Sequence, residues 1–424
     1  FCRMNIHSND PYAALRIPSF RRILLGRLFL TLGYQIQAVS IGWLLYIKTG
    51  DPLALGLSGL AEAIPYITTS MFSGLLADTK NRKHVFVMGA VVLLISSVIL
   101  LLRIMSDLAN PNPGIHTLPY YIVLASVGLA RGFMGPSLQA LWADIVPKEI
   151  YHNAATWSAN LFNFAAVSGP AIGGLMYGFM GPISANIAVC TLLVLSLTAF
   201  TFVRYVRPQH KPSNESLGHK LTAGLKFVFS HQVLVGAMAL DMFAVLFGGA
   251  LALLPAFTKD VLHLGPEALG ILRASPFVGS LLMGMYLAHH PPIGQTGKLL
   301  LIAVAGFGVC MIAFALSTNY YLSLLLLASS GAFDNISMVI RGSIAQLLTP
   351  DEMRGRVSAV NGIFIGASNE IGAFESGLAA RFLGLIPSVI AGGSMTLLIV
   401  ALTSWRLPAM RSFSIKEHGM NQDR

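Results

Sequence analysis

The sequence predicts an all-α membrane protein of twelve transmembrane helices, arranged as two six-helix pseudo-symmetric halves. Three observations carry that prediction. Of the 424 residues, 54% are hydrophobic and 11% charged, which leaves too little surface charge to keep a soluble protein of this size dispersed. Apolar segments recur along the chain with no soluble block between them, and each approaches the roughly 20 residues needed to cross a bilayer core. The two halves also repeat one another at fixed offsets.

In order, the predicted spans run from Ile23 to Ile47, Leu53 to Leu76, Val85 to Leu102, Leu118 to Leu141, Ala154 to Met180, Ile183 to Val203, Val233 to Phe257, Ala268 to Ala288, Leu299 to Leu316, Tyr320 to Leu348, Val357 to Ala379 and Pro387 to Trp405. A charged turn of both signs follows the second span, and a long outer loop, Met105 to Thr117, follows the third. The longest non-apolar gap, Arg204 to Lys226, falls between spans six and seven. It sets the expected domains: 1–203 as the first half, 204–230 as a cytoplasmic linker and 231–424 as the second half.

Basic residues orient these spans. With the N-terminus inside, 20 of the 28 Lys and Arg residues fall in inner segments, 4 in outer loops (Lys48, Arg103, Lys259, Arg381) and 4 within spans (Arg27, Arg131, Arg273, Arg341). That bias places both termini in the cytoplasm. The N-terminal stretch with Arg16, Arg21 and Arg22 shows no signal-peptide cleavage pattern and reads as a cytoplasmic tail. The net charge of +10 does not point to nucleic acid, because the cations sit in short loops rather than on one soluble face. Cys2, Cys190 and Cys310 are far apart and have no metal-ligand spacing.

The repeat is visible residue by residue. At an offset of 203, Gly128, Pro147, Gly169 and Gly174 land on Gly331, Pro350, Gly372 and Gly377; at 211, Lys48, Pro65 and Ala77 land on Lys259, Pro276 and Ala288. The change of 8 between offsets fits the outer loop after the third span, which the second half lacks. Parallel repeats of this kind build many secondary transporters.

The turn Gly74-Leu-Leu-Ala-Asp78-Thr-Lys-Asn-Arg82-Lys83 resembles the signature loop of the major facilitator superfamily. Thr79 stands where that loop has Arg, and Asn81 where it has Gly; Asn is the least costly replacement in a left-handed turn. The stretches Gly132-Phe-Met-Gly-Pro-Ser-Leu-Gln-Ala, Asp144-Ile-Val-Pro147 and Ser168-Gly-Pro-Ala-Ile-Gly-Gly174, with Gln346-Leu-Leu-Thr-Pro350-Asp-Glu-Met-Arg-Gly-Arg-Val-Ser-Ala and Ala367-Ser-Asn-Glu-Ile-Gly-Ala-Phe-Glu-Ser-Gly377, resemble the transmembrane secretion effector branch, to which enterobactin exporters are similar. The resemblance covers nearly the whole chain. It implies the major facilitator fold, an inner-membrane location and proton-driven export by alternating access of a small organic molecule such as a siderophore or drug. Gly169-Pro170 with Gly173-Gly174 resembles the antiporter motif of the fifth helix, although Ala165 replaces its earlier glycine. By resemblance, Asp78 caps the start of the eleventh helix near Val357 and, with Arg82, belongs to a gate.

Charges within spans cost at least about 2.5 to 3.5 kcal/mol each and persist where they meet a partner or a cavity. The acidic set is Glu62, Asp241, Asp334, Glu370 and Glu375, against the four arginines. In the repeat, Arg131 lands on Asp334 and Glu62 on Arg273, each pair of opposite sign. One reading makes these two cross-half gating pairs, Arg131 with Asp334 and Glu62 with Arg273; the other is that each charge pairs within its own half or contacts water. Asp241 lands on Leu30 and so has no charged counterpart. It is the first candidate for proton coupling, followed by Asp334 and Glu370, unless it pairs with Arg27.

Arg27, Arg131 and Arg341 lie on helices that the resemblance implies line the cavity. Guanidinium forks there suit carboxylate or catecholate oxygens. Tyr34, Gln37, Asp241 and Asp334 join Arg27 and Arg131 as substrate-binding candidates, although interhelical hydrogen bonding is the commoner role of such polar groups. Arg341 either gates or anchors the cytoplasmic end. Gly174, Gly178 and Gly181 are spaced for close helix packing.

No H-E-x-x-H, G-x-S-x-G or P-loop occurs, which argues against a membrane enzyme; a receptor would leave the twofold repeat and the buried charges unexplained. No metal or cofactor is expected. The expected partners are a small-molecule substrate, protons and the lipid bilayer, with the chain acting as a monomer. Direction of transport is not fixed by sequence, because gradients and differential affinities set it, so import of a siderophore or other anionic metabolite stays the alternative.

Overall fold

The computed structural model describes residues 10–110, 116–205, 217–248, 250–292 and 294–414. They form helices α1 (Pro18–Thr49), α2 (Pro52–Thr79), α3 (Arg82–Ala109), α4 (Leu118–Ile145), α5 (Tyr151–Thr201), α6 (Leu217–Ser230), α7 (Gln232–Phe247), α8 (Leu254–Asp260), α9 (Pro266–His289), α10 (Thr296–Leu316), α11 (Tyr320–Leu348), α12 (Asp351–Leu383), α13 (Leu385–Arg406) and the short α14 (Pro408–Arg411). No strand occurs among the described residues. Nine helical stretches among them are long and apolar enough to cross a membrane; α2 and α12 are not among those nine.

The helices differ from the predicted spans at three places, each with a local cause. Spans five and six are merged in α5, whose register breaks once at Gly181 (φ 82, ψ 171) just before Pro182. Only glycine takes that backbone conformation at little cost, so Gly181 breaks the helix instead of packing it, as expected for Gly174 and Gly178. The predicted seventh span is not continuous either: α7 stops at Phe247, a 3₁₀ turn runs over Ala250–Leu253, and α8 restarts with Pro255 in its first turn. Within the predicted linker, α6 is helical, and its Val228 is fully buried in one apolar cluster with Val357 and Val360 of α12.

Asn81 also departs from expectation. Its backbone is extended (φ −70, ψ 115), and its side chain accepts hydrogen bonds from the amides of Lys83 at 3.0 Å and His84 at 3.4 Å. It is the N-cap of α3, supplying an acceptor that glycine lacks.

The chain condenses into two compact units. The first comprises Phe1–Leu44, Ala61–Ser213 and Pro266–Gly270. Its core holds Ile36, Phe86, Val127, Leu141 and Phe200, with the Phe86 and Phe200 rings 4.0 Å apart. Gly174 backs onto Gly270 within this unit, where a Cβ would overlap backbone. Close backbone approach of this kind supplies packing where lipid removes the hydrophobic drive between helices. The second unit comprises Leu45–Leu60, Asn214–Gly265 and Ile271–Arg424. Leu234, Leu240, Leu300, Ile340 and Ile344 fill its core.

Candidate functional site

Within the first unit, polar chemistry gathers where α1, α2 and α4 meet. Gly128 of α4 lies so close to α2 that a Cβ would overlap the Glu62 carbonyl. That approach brings Arg131, one turn further along α4, onto the Glu62 carboxylate as an ion pair. Tyr34 of α1 completes the group: its hydroxyl donates to Glu62 at 3.1 Å and accepts from Arg131 at 2.7 Å. The guanidinium also lies 4.3 Å from the Tyr34 ring centroid and 5.6 Å from that of Tyr66, within cation–π range.

This corrects the cross-half pairing. Glu62 meets Arg131 of its own half, because a desolvated charge needs a partner at close range and the glycine at 128 supplies one. The repeat conserves the arrangement with its polarity reversed. Equivalent to acidic Glu62 on α2 and basic Arg131 on α4 are basic Arg273 on α9 and acidic Asp334 on α11, and those two line one cavity of the second unit.

That cavity has a volume of about 310 Å³, and Ser330, Asn369, Phe307 and Met311 share its walls with Arg273 and Asp334. Asp334 is exposed, and among the described residues it has no hydrogen-bond or ion-pair partner. A smaller cavity beside it, of about 10 Å³, is lined by Asp334, Ser337 and Asp241 together with Ala244, Phe307 and Phe333. Asp241 of α7 is ion-paired with Arg341 of α11, and each residue is 6% exposed. Asp241 is therefore neither unpaired nor joined to Arg27. Arg341 is not an anchor at the membrane surface but half of a buried pair.

The remaining candidates are dispersed. Arg27 donates to Ser158 of α5 and stacks 5.6 Å from the Phe162 ring. Gln37 is buried and donates to Ser97 of α3 at 3.1 Å, an interhelical tie rather than a group turned to a cavity. Arg82 binds Asp144 at 2.5 Å and the Ala140 carbonyl at 3.2 Å, and the Tyr205 hydroxyl donates to the same carboxylate at 2.7 Å. The side chain of Asp78 lies outside the described residues. Glu370 is half-buried and lines neither cavity. With Arg131 and Arg341 each held by a carboxylate, the expected set of arginines open to an anion is not assembled.

Sequence reasoning missed Ser337. The signal was available: Asp334, Ser337 and Arg341 fall at i, i+3 and i+7, on one face of a helix.

Solved structures share this fold. A bacterial homolog to the human lysosomal transporter Spinster, inward-facing and unoccupied, superposes with a TM-score of 0.70 at 15% identity, over 93% of this chain and 98% of that one. Charges gathered around interior cavities of a many-helix membrane fold mark substrate and ion pathways, as in membrane transporters. The family model for transmembrane secretion effectors matches residues 9–423. The chain belongs to that family, within the major facilitator superfamily. Among its relatives, the multidrug efflux pump Tap of Mycolicibacterium fortuitum is 23% identical over 406 residues, spanning 93% of this chain and 96% of that protein. The enterobactin exporter EntS of Citrobacter koseri is 25% identical over 413 residues, spanning 92% and 94%.

Proposed function

We propose that this protein is a secondary active exporter that moves a small organic molecule out of the cell in exchange for protons, by alternating access. The observation that carries the reading is the 310 Å³ cavity whose walls include Asp334 and Arg273. A carboxyl open to a cavity inside an apolar bundle binds and releases a proton, and its neutralisation removes a charge that is costly within the membrane.

The cavity also bears on substrate class. Its volume stands at the lower end of the roughly 300–1,000 Å³ usual for small-molecule sites. Beside the proton-carrying Asp334, one cation, an amide and a hydroxyl lie among Phe307 and Met311. Such walls fit a ligand with an aromatic or aliphatic body and both donors and acceptors, or that part of a larger ligand. The activities of the relatives, multidrug efflux and enterobactin export, agree with this reading.

In the proposed setting the chain crosses the inner membrane twelve times as a monomer, with residues 1–203 and 231–424 as its halves, 204–230 as the linker between them and both termini in the cytoplasm. Asp334 and Asp241 carry the coupling, while Glu62, Arg131, Arg273 and Arg341 hold the charged contacts that rearrange between states. Everted vesicles test the direction. Export predicts that enterobactin, or a fluorescent lipophilic cation, accumulates in vesicles with an acidified lumen and that a proton ionophore abolishes the accumulation. Accumulation in whole cells instead of vesicles would reverse the direction, and indifference to the ionophore would remove the proton.

A further inference from the structure

The small cavity beside Asp334 holds a feature that the exporter reading does not use. Ser337 is 3% exposed, and among the described residues its hydroxyl has no hydrogen-bond partner. A buried hydroxyl left without a partner costs on the order of 1–3 kcal/mol, and a serine inside a helix ordinarily satisfies itself on the carbonyl one turn back. Here the residue lines a space of about 10 Å³ shared with Asp241 and Asp334. That is roughly the room one water needs, and three polar groups are the usual complement of a buried water.

We infer that Ser337 holds a single water between Asp334 and Asp241, and that this water relays the coupling proton from the cavity-facing carboxyl to the buried one. In the step, the Asp334 carboxyl gives its proton to the water oxygen while the water gives one of its own protons to the Asp241 carboxylate. One O–H bond breaks and one forms at the water, which is regenerated, and the negative charge passes from Asp241 to Asp334. Arg341 thereby loses the anion it is paired with, so arrival of the proton weakens the contact between α7 and α11.

The charged groups around this site are Asp241 from α7, Asp334 and Arg341 from α11 and, in the lining of the adjoining cavity, Arg273 from α9, while α12 lines that cavity with the uncharged Asn369 and Ala373. The wall from α10 brings Ala303, Val304 and Phe307, with no charge. Ser337 touches no substrate in this scheme; it is a positioning residue acting through the water.

The inference rests on the proton-exchange reading, and its test separates the two. Purified protein in lipid nanodiscs is subjected to a pH jump, and the infrared carboxyl band that Asp241→Asn abolishes is followed in time. With Ser337→Ala, protonation of Asp241 is expected to slow about tenfold, the worth of one hydrogen bond to the relaying water, while Asp334 titrates as before. Equal rates in wild type and Ser337→Ala would overturn the relay and leave proton exchange standing. Absence of titration at both carboxyls in the wild type would overturn both. A high-resolution map gives a check free of any variant: density bonded to Ser337 Oγ and both carboxylates is expected, and a site without it contradicts the inference.

Discussion

Asn81 shows how much one side chain decides. As the N-cap of α3 it holds two amides, so Asn81→Ala is expected to lower stability by about 1 kcal/mol and Asn81→Gly by only a few tenths. Had the residue occupied the left-handed turn that the signature loop implies, glycine would stabilise instead; thermal unfolding in detergent separates the two. The buried pair of Asp241 and Arg341 gives a larger effect. Removing either partner alone leaves a charge stranded, at a cost of about 3–5 kcal/mol, whereas an apolar double replacement is often neutral. Asp241→Leu and Arg341→Met singly should each lower the unfolding temperature sharply, and the double variant should recover most of the loss. Additive losses would mean that the two are not partners.

At the scale of helices, the reversed polarity of the repeat makes its own prediction. The second half already carries a base on α9 and an acid on α11 where the first carries Glu62 and Arg131. Exchanging the charges, Glu62→Arg with Arg131→Glu, is therefore expected to restore the folded yield that either single change loses, read as the monodisperse fraction on size-exclusion. Swapped protein no better than the singles would show that the contact depends on the Tyr34 geometry and not on charge. The positions of these charges were legible in the sequence, because apolar runs expose every intruding Glu, Asp and Arg, and the offsets of 203 and 211 aligned them. Their partners were not. A repeat gives equivalent depth along the helices but not which neighbour is nearest, and that was decided by Gly128, whose lack of a side chain lets α4 close on α2. The break after Phe247 was hidden for a related reason: hydropathy continues unbroken through Ala250–Leu253 while the backbone does not.

The whole molecule combines an open carboxyl at Asp334 and a buried ion pair at Asp241 and Arg341 with membership of a family of membrane transporters. Transport in exchange for protons requires that the proton and the cargo each change which state is favoured. A residue that carries the proton is then separable from residues that carry the cargo. Reconstituted liposomes loaded with unlabelled cargo and supplied with labelled cargo report exchange without net proton movement, and the same liposomes under a pH gradient report coupled accumulation. Comparing both modes for wild type and Asp334→Asn tests the central claim most directly. The account predicts that Asp334→Asn keeps exchange and loses gradient-driven accumulation; gradient-driven accumulation at the wild-type level in that variant would contradict it.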